Sequence, residues 1–390
     1  MQSHSKKPIV LYILTKLELG GAQKVCLTLF KGISERGLSS GLISGTEGVL
    51  VSQVQGYDNV HLLKEFKREI GLKNLISEIK SFFSLFRLMK KIKREHPMVV
   101  VHTHSTKAGV LGRLAAFFAG ISERVHTVHG FGFNDFQSRP VRLIMISIEY
   151  VMSLLTTHYV CVSENDRAIG AKLFPYFAQK SSLIRAAVDW DCFCINTRVK
   201  AIDSNLIIGT VSCFKPQKNL IDLLRAFKYV YNKLSVRNRN RIFLHIIGDG
   251  ALRSDLEAFV RENGLEDKVV FLGWQANVNL FMQGWNIFAM SSLWEGLPCA
   301  IIEARLSKLP VVCYDVGGIA EVVVNDKNGF VVKIGQWHML ADKLLCLVQN
   351  DQLRTTIANY NDNLDAFKNS TMIYEHETLY RKLTEGNGLL

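Results

Sequence analysis

The chain has 390 residues, 48% hydrophobic and 21% charged, a composition that excludes disordered and collagen-like proteins and suggests two or three folded domains. Its 47 Lys and Arg against 35 Asp and Glu give a net charge of +12. That excess is local: residues 1–200 hold 27 basic and 15 acidic side chains, whereas residues 201–390 hold 20 of each, so the two halves are expected to meet different partners.

Ile9–Leu14 reads as a buried strand, followed by a loop over Thr15–Gly20 and helical spacing over Gly21–Ile33. Met98–Val101, Val125–Val128 and Tyr159–Val162 repeat the short apolar theme, each followed by a loop and a helical pattern. A second series begins near Leu206 with Ile207–Val211, Ile242–Ile247, Val269–Leu272, Ile287–Met290 and Val311–Tyr314. Helical segments such as Leu220–Leu234 and Leu252–Asn263 separate most of these runs. Strands alternating with helices predict βαβ units and parallel sheets. The expected fold class is α/β, with two doubly wound, Rossmann-like domains in tandem. The boundaries are placed at residues 1–190, a linker at 191–205, a second domain at 206–370, and a C-terminal helix at 371–390 packing back towards the first domain. In such sheets ligands gather at the carboxyl ends of the strands, so the site is expected in a cleft between the domains.

Eight cysteines without a CxxC pair, several inside apolar runs such as those around Cys161 and Cys313, suit a reducing compartment. The first residues lack an apolar core of the secretory type. The most apolar stretches, Lys107–Ile121 and Leu143–Leu155, are interrupted by Arg113 and Glu149, so no bilayer-spanning segment is expected. A cytoplasmic protein, attached to a membrane surface without crossing it, fits these features.

The densest chemical signal is Ser291-Ser-Leu-Trp-Glu295-Gly296-Leu297-Pro298, followed by Cys299-Ala-Ile-Ile-Glu303. A strand ends at Met290, a loop presents Glu295, and Pro298 suits the first turn of the next helix. Helix N-termini offer unpaired N–H groups and a positive dipole end to phosphate, while Glu295 and Glu303 can accept hydrogen bonds from hydroxyls. A ligand that is both a diphosphate and a polyol fits that pattern. A plain helix start carrying two solvated acids fits it too.

Glu295-Gly-Leu-Pro with Glu303 eight residues on resembles the E-x7-E element of the retaining glycosyltransferases of family 4, whose fold is called GT-B. Other motifs resemble that family in order: Gly20-Gly21 its N-terminal glycine loop, and Thr127-Val-His129-Gly-Phe131 its histidine loop. Gly248-Asp-Gly250, Phe271-Leu-Gly273, Gly317-Gly-Ile-Ala-Glu321 and Asn328-Gly-Phe330 follow. The resemblance spans residues 8–385 and implies a hexosyltransferase that uses a nucleoside-diphosphate sugar without a metal or other cofactor. It implies Glu303 on ribose hydroxyls, Glu295 on hydroxyls of the transferred sugar, and Lys218 on the diphosphate, where a cation stabilises the departing nucleotide. His129 is implied beside the transferred sugar as a hydrogen-bonding group rather than a general base. Gly20, Gly21, Gly248, Gly296, Leu297 and Pro298 are implied around the substrates. The family usually has Arg where this chain has Cys213, so Lys215 is the candidate replacement if it points inward. Ala186-Ala187 also departs from the family's Asn-Gly.

His102-x-His104 and His126-x2-His129 invite a metal reading, but no Cys or carboxylate falls at ligand spacing nearby, and no metal is expected. The GxGxxG fingerprint is incomplete at Gly248, since Arg253 takes its last place, which weakens a nicotinamide-dependent oxidoreductase. A non-catalytic nucleotide-sugar-binding protein stays open. Residues 64–96 hold ten Lys and Arg with four Glu, and Leu75, Ile79, Phe82, Phe83, Phe86 and Met89 recur at helical spacing. Such a helix suits an anionic membrane surface, or core packing with solvated charges. No nucleic-acid-binding module is apparent. The expected acceptor is a lipid-linked saccharide of cell-surface polysaccharide assembly.

Overall fold

The computed structural model describes residues 8–67, 75–194 and 205–385. The chain divides into two compact units, one of residues up to 187 together with those from 369, the other of residues 188–368.

The first unit opens with β1 (Ile9–Ile13), α1 (Gly21–Glu35), β2 (Ser39–Gly45) and β3 (Val60–Leu63). It continues with α2 (Leu75–Glu95), β4 (Val99–His104), α3 (Thr106–Phe118) and β5 (Glu123–Val128). Then come α4 (Arg139–Leu155), β6 (His158–Cys161), α5 (Glu164–Leu173) and β7 (Ser181–Leu183). The strands form one parallel sheet in the order β3-β2-β1-β4-β5-β6-β7. Every residue of β1 and β4 is buried, as a parallel strand covered on both faces requires, which explains the unbroken apolar run of β1.

The second unit holds α6 (Trp190–Phe193), β8 (Leu206–Val211), α7 (Leu220–Lys233), α8 (Val236–Arg241), β9 (Ile242–Ile247) and α9 (Arg253–Glu262). It continues through β10 (Val269–Gly273), α10 (Val278–Gly284), β11 (Ile287–Met290), α11 (Cys299–Leu306), β12 (Val311–Tyr314) and β13 (Gly329–Val332). Helices α12 (Trp337–Gln349) and α13 (Asp351–Ala358) close it. Its parallel sheet runs β10-β9-β8-β11-β12-β13. In both sheets the strand order reverses beside the first strand, at β1/β4 and at β8/β11, and these are the switch points where such sheets collect ligands.

The chain then returns as α14 (Asn369–Glu385), which packs on α1 of the first unit. Tyr12 on β1 donates a hydrogen bond to the buried Tyr380 hydroxyl of α14, 3.1 Å away. The stretch read as a linker is partly structured. Trp190–Phe193 is helical, and residues 191–194 belong to the second unit, as do residues 188–190, read as the end of the first domain, where Val188 pairs with Lys368 as an isolated bridge. The rest of that linker, residues 195–204, lies outside the described residues.

Candidate functional site

In the second unit the switch point is built by two loops separated by more than seventy residues. After β8 the chain runs through Ser212–Lys215 into a single 3-10 turn, Pro216–Lys218, and Asn219 takes a left-handed conformation before α7 begins. After β11 it runs through Ser291–Leu297. The loops are joined by side chains and backbone together. The Ser291 hydroxyl donates to the Asn219 carbonyl at 2.9 Å, the Gln217 amide to the Trp294 carbonyl at 2.8 Å, and the Leu293 N–H to the Gln217 carbonyl at 2.8 Å. Lys218 Nζ forms an ion pair with Glu295 Oε1, the lysine side chain being 21% and the carboxylate 9% exposed. The two residues singled out for chemistry therefore touch.

Neighbouring glycines hold these loops in place. Gly317, with φ at 55°, lies so close that a Cβ would sit 2.2 Å from the Glu295 carbonyl oxygen, and Gly318 N–H donates to the Gly296 carbonyl at 2.7 Å. Gly248, with φ at 122°, backs onto Ser212, where a Cβ would lie 1.9 Å from the carbonyl oxygen. Its lack of a side chain thus serves the close approach of two loops. Gly296, Leu297 and Pro298 are buried. Pro298 is the N-cap of α11 rather than a residue of its first turn, one position earlier than expected, and no side chain caps that helix. The first-turn N–H groups of α11 accordingly have no side-chain acceptor at the cap. Glu303 is buried on α11. Lys215 is exposed and Cys213 half-buried.

In the first unit Gly20 is the N-cap of α1, again without a side-chain cap, and Gly21 opens the helix at an exposed position. His129 follows β5 and is half-buried. Its Nε2 shares a hydrogen bond of 3.0 Å with His104 Nδ1 at the end of β4. Behind this pair, His102 bonds the Tyr380 hydroxyl through Nδ1 and the Thr127 hydroxyl through Nε2, both at 2.6 Å. His126 Nδ1 meets the Thr103 hydroxyl at 2.8 Å, and His376 on α14 stacks on His102 with centroids 5.6 Å apart. Burial, reinforced by His376, depresses His129 to about 4. Burial likewise holds His102, His104 and His126 well below the usual imidazole range. Near neutral pH these rings are uncharged hydrogen-bonding groups. They bond hydroxyls and one another, and among the described residues no three His, Cys, Asp or Glu side chains are placed to hold a metal ion.

Comparison with known proteins gives these loops a family. The model of group 1 glycosyl transferases matches residues 196–364, and that of glycosyltransferase family 4 matches residues 19–191. The chain belongs to the family 4 glycosyltransferases. Among curated proteins, this glycosyltransferase is 29% identical over 371 residues to UDP-Gal:alpha-D-GlcNAc-diphosphoundecaprenol alpha-1,3-galactosyltransferase of Escherichia coli, covering 93% of each chain. It is 25% identical to the capsular polysaccharide biosynthesis glycosyltransferase CapM of Staphylococcus aureus, covering 86% of this chain and 89% of that one. Among solved structures, Anabaena Alr3699/HepE in complex with UDP-glucose superposes with a TM-score of 0.74 at 18% identity, over 96% of this chain and 99% of that one. The fold is GT-B, with a seven-stranded and a six-stranded Rossmann-like sheet.

Several participants escaped the reading of the glycosyltransferase's sequence. Gln217 and Ser291 tie the two loops together, although both lie inside motifs already singled out. His376 and Tyr380 stand behind His102 from a helix more than 270 residues away in sequence. Nothing local marks them; only the polar His and Tyr positions on the apolar face of α14 hint at a buried network.

Proposed function

We propose that this glycosyltransferase transfers a hexose from a nucleoside-diphosphate sugar, with UDP as the leading nucleotide, to a lipid-linked saccharide, with retention of anomeric configuration. The observation that carries the reading is the Lys218–Glu295 pair at the β8/β11 switch point, beside the uncapped start of α11. A diphosphate takes Lys218 and the first-turn N–H groups of α11; the sugar hydroxyls take Glu295, and the ribose takes Glu303. Donor binding exchanges the internal ion pair for two ligand contacts, so the resting pair stores the cation and the carboxylate in place. Gly296, Leu297, Pro298 and Gly248 shape the backbone around the donor, and Lys215 adds positive potential at its rim. The second unit thus holds the donor and the first unit the acceptor, with Gly20 and Gly21 at the acceptor side and His129 as a neutral hydrogen-bonding partner of the transferred sugar. The leaving phosphate takes the acceptor proton, so no metal and no separate general base are required.

Two relatives support the acceptor class: the Escherichia coli enzyme named above, and an N-acetylgalactosaminyltransferase of Campylobacter jejuni named for a diphospho-undecaprenol acceptor, which is 30% identical over 219 residues. Work on such an acceptor places the glycosyltransferase at the cytoplasmic face of the membrane, in cell-surface polysaccharide assembly. The test is a thermal-shift screen of UDP-, GDP- and ADP-sugars, followed by NMR of the product anomer in buffer containing EDTA. Stabilisation by one donor and an α-linked product from an α-linked donor are expected. An inverted product, or turnover abolished by EDTA and restored by a divalent cation, would overturn the retaining, metal-independent reading.

A further inference from the structure

Helix α4 is built inside out. Its buried residues are Glu149, Met152 and Ser153, while Val141, Leu143, Ile144, Ile148, Val151 and Leu154 are exposed, Leu143 at 63% and Leu154 at 61%. Set at 100° per residue, Leu143, Ile144, Ile148, Val151 and Leu154 fall on one outward arc, opposite Glu149 and Ser153. A surface helix ordinarily does the reverse. The inward face is held by polar bonds: Glu149 takes a bidentate ion pair from the buried Arg113 of α3 at 2.8 and 2.9 Å, and Tyr159 of β6 donates to the same carboxylate at 2.9 Å. With Met152 buried and Ile146 packed against the cluster around Phe174 and Phe177, these bonds fix α4 on the sheet without using the apolar residues of its outward arc. Those residues are left for something outside the chain.

We infer that the outward face of α4 is the surface by which this protein docks on an anionic lipid bilayer. A contiguous apolar arc rimmed by charge marks an interaction site. The exposed charges of α4 are Arg139 and Arg142, the only carboxylate of the helix being the buried Glu149; Arg142 also reaches Asp135 in the preceding loop at 2.8 Å. The neighbouring helix layer adds exposed Lys90, Lys91 and Lys93 on α2, which packs on α3 as α3 packs on α4. Apolar insertion beside a cationic rim is the chemistry of an interfacial helix on anionic headgroups. At 17 residues, α4 is not a span, and no helix among the described residues is long and apolar enough to cross a membrane. The position matters for function: α4 begins ten residues after His129, so the docked face adjoins the loop that carries it. The sequence pointed to residues 64–96 as the membrane element; Leu85, Met89 and Ile92 of α2 lie in the core while Ile76, Ile79 and Phe83 stay exposed, so α2 keeps an apolar outward face of its own and α4 adds the larger one.

This inference rests on the proposed lipid-linked acceptor for its purpose, but its test needs neither donor nor acceptor. The full chain is sedimented with phosphatidylcholine vesicles with and without about one-third phosphatidylglycerol. The wild type is expected to bind the anionic vesicles, with its bound-to-free ratio falling at least about tenfold in the double variant Ile144→Asp/Val151→Asp. The control Val236→Asp, at an exposed apolar position of the second unit, should bind as the wild type does. Circular dichroism and the thermal shift with UDP establish that the double variant is folded. Leu143→Trp should show a blue shift of its added emission on vesicle addition. Wild-type indifference to both vesicles, or unchanged binding by the double variant, would overturn the inference. So would a lipid-free dimer that the double variant dissolves, which would assign the face to a second copy. Loss of vesicle binding with intact turnover on a soluble acceptor analogue would leave the catalytic reading standing; absence of turnover with retained binding would do the opposite.

Discussion

Two ion pairs, one in each unit, are made of similar groups and do different things. Arg113–Glu149 is sealed between α3 and α4, with Arg113 fully buried and further hydrogen bonds to the Gly109 carbonyl and to the Thr156 and Tyr159 hydroxyls. Lys218–Glu295 joins two loops at the carboxyl edge of the other sheet and keeps contact with solvent. A guanidinium offers a planar fork that can be satisfied completely in the interior; an ammonium on a flexible stem is easily released to another anion. The first pair is a joint and the second is a store. Comparing them separates what holds the fold from what waits for a ligand.

The largest expected effect breaks the joint. Arg113→Ala leaves Glu149 buried without its partner and should cost about 3–5 kcal/mol of unfolding free energy, measured by urea denaturation. The double change Arg113→Met/Glu149→Leu, which removes both charges, should recover most of that loss. If the single change were neutral, the pair would not be what anchors α4. Breaking the store should do the opposite: Lys218→Ala should lower kcat about 100–1000-fold, the loss typical of a deleted transition-state charge contact. Its stability change should stay within about 1 kcal/mol, since partly exposed pairs contribute little. A variant with full turnover would remove Lys218 from the reaction.

How much of this contrast was legible in the sequence differs between the units. Each strand of the second series appears within a residue or so of its expected place, because parallel strands are short apolar runs whose pattern is local. The loops that follow β8 and β11 were likewise readable as functional, since Pro216, Lys218 and Glu295-Gly-Leu-Pro carry local chemistry. Their union was not, because Gln217 and Trp294 lie 77 residues apart and meet only when β8 and β11 pair. The periodicity of α4 shows an apolar face but not its direction, and only the buried Arg113–Glu149 pair decides it. The histidines at the ends of β4 and β5 were visible as neighbours, whereas their support from α14 depends on the chain returning to the first unit.

That histidine network gives the third prediction. His376 is fully buried, bonds the Met372 carbonyl through Nδ1, and is depressed to about 4, chiefly by burial. In the unfolded chain an imidazole takes up its proton near pH 6.5. Between those values the unfolded state binds more protons, so stability is complete above about pH 6.5, falls as the pH drops, and is lost through pH 4. At pH 5 one such imidazole costs about 2 kcal/mol. The loss should fall on the first unit. All five tryptophans lie between residues 190 and 337, in the second unit, so their emission should persist while the helical signal of the first unit declines. Simultaneous loss of both signals would show that the units do not respond separately to acid.

The smallest effect concerns Lys215, and it tests how far the store extends. This lysine is exposed, in a loop whose half-buried Cys213 stands where the resemblance to the family implies an arginine. A cation that reaches a diphosphate through water-like dielectric contributes about 1 kcal/mol at 4 Å, equivalent to roughly a fivefold change in binding. Lys215→Ala should therefore raise the donor KM by about that factor, with kcat unchanged, because an exposed charge attracts the bound diphosphate and the departing one to a similar degree. Salt should erase the difference, since the Debye length shrinks to about 3 Å at 1 M. A fall in kcat matching that of Lys218→Ala, insensitive to salt, would mean instead that Lys215 folds inward on the donor and takes the place of the missing arginine.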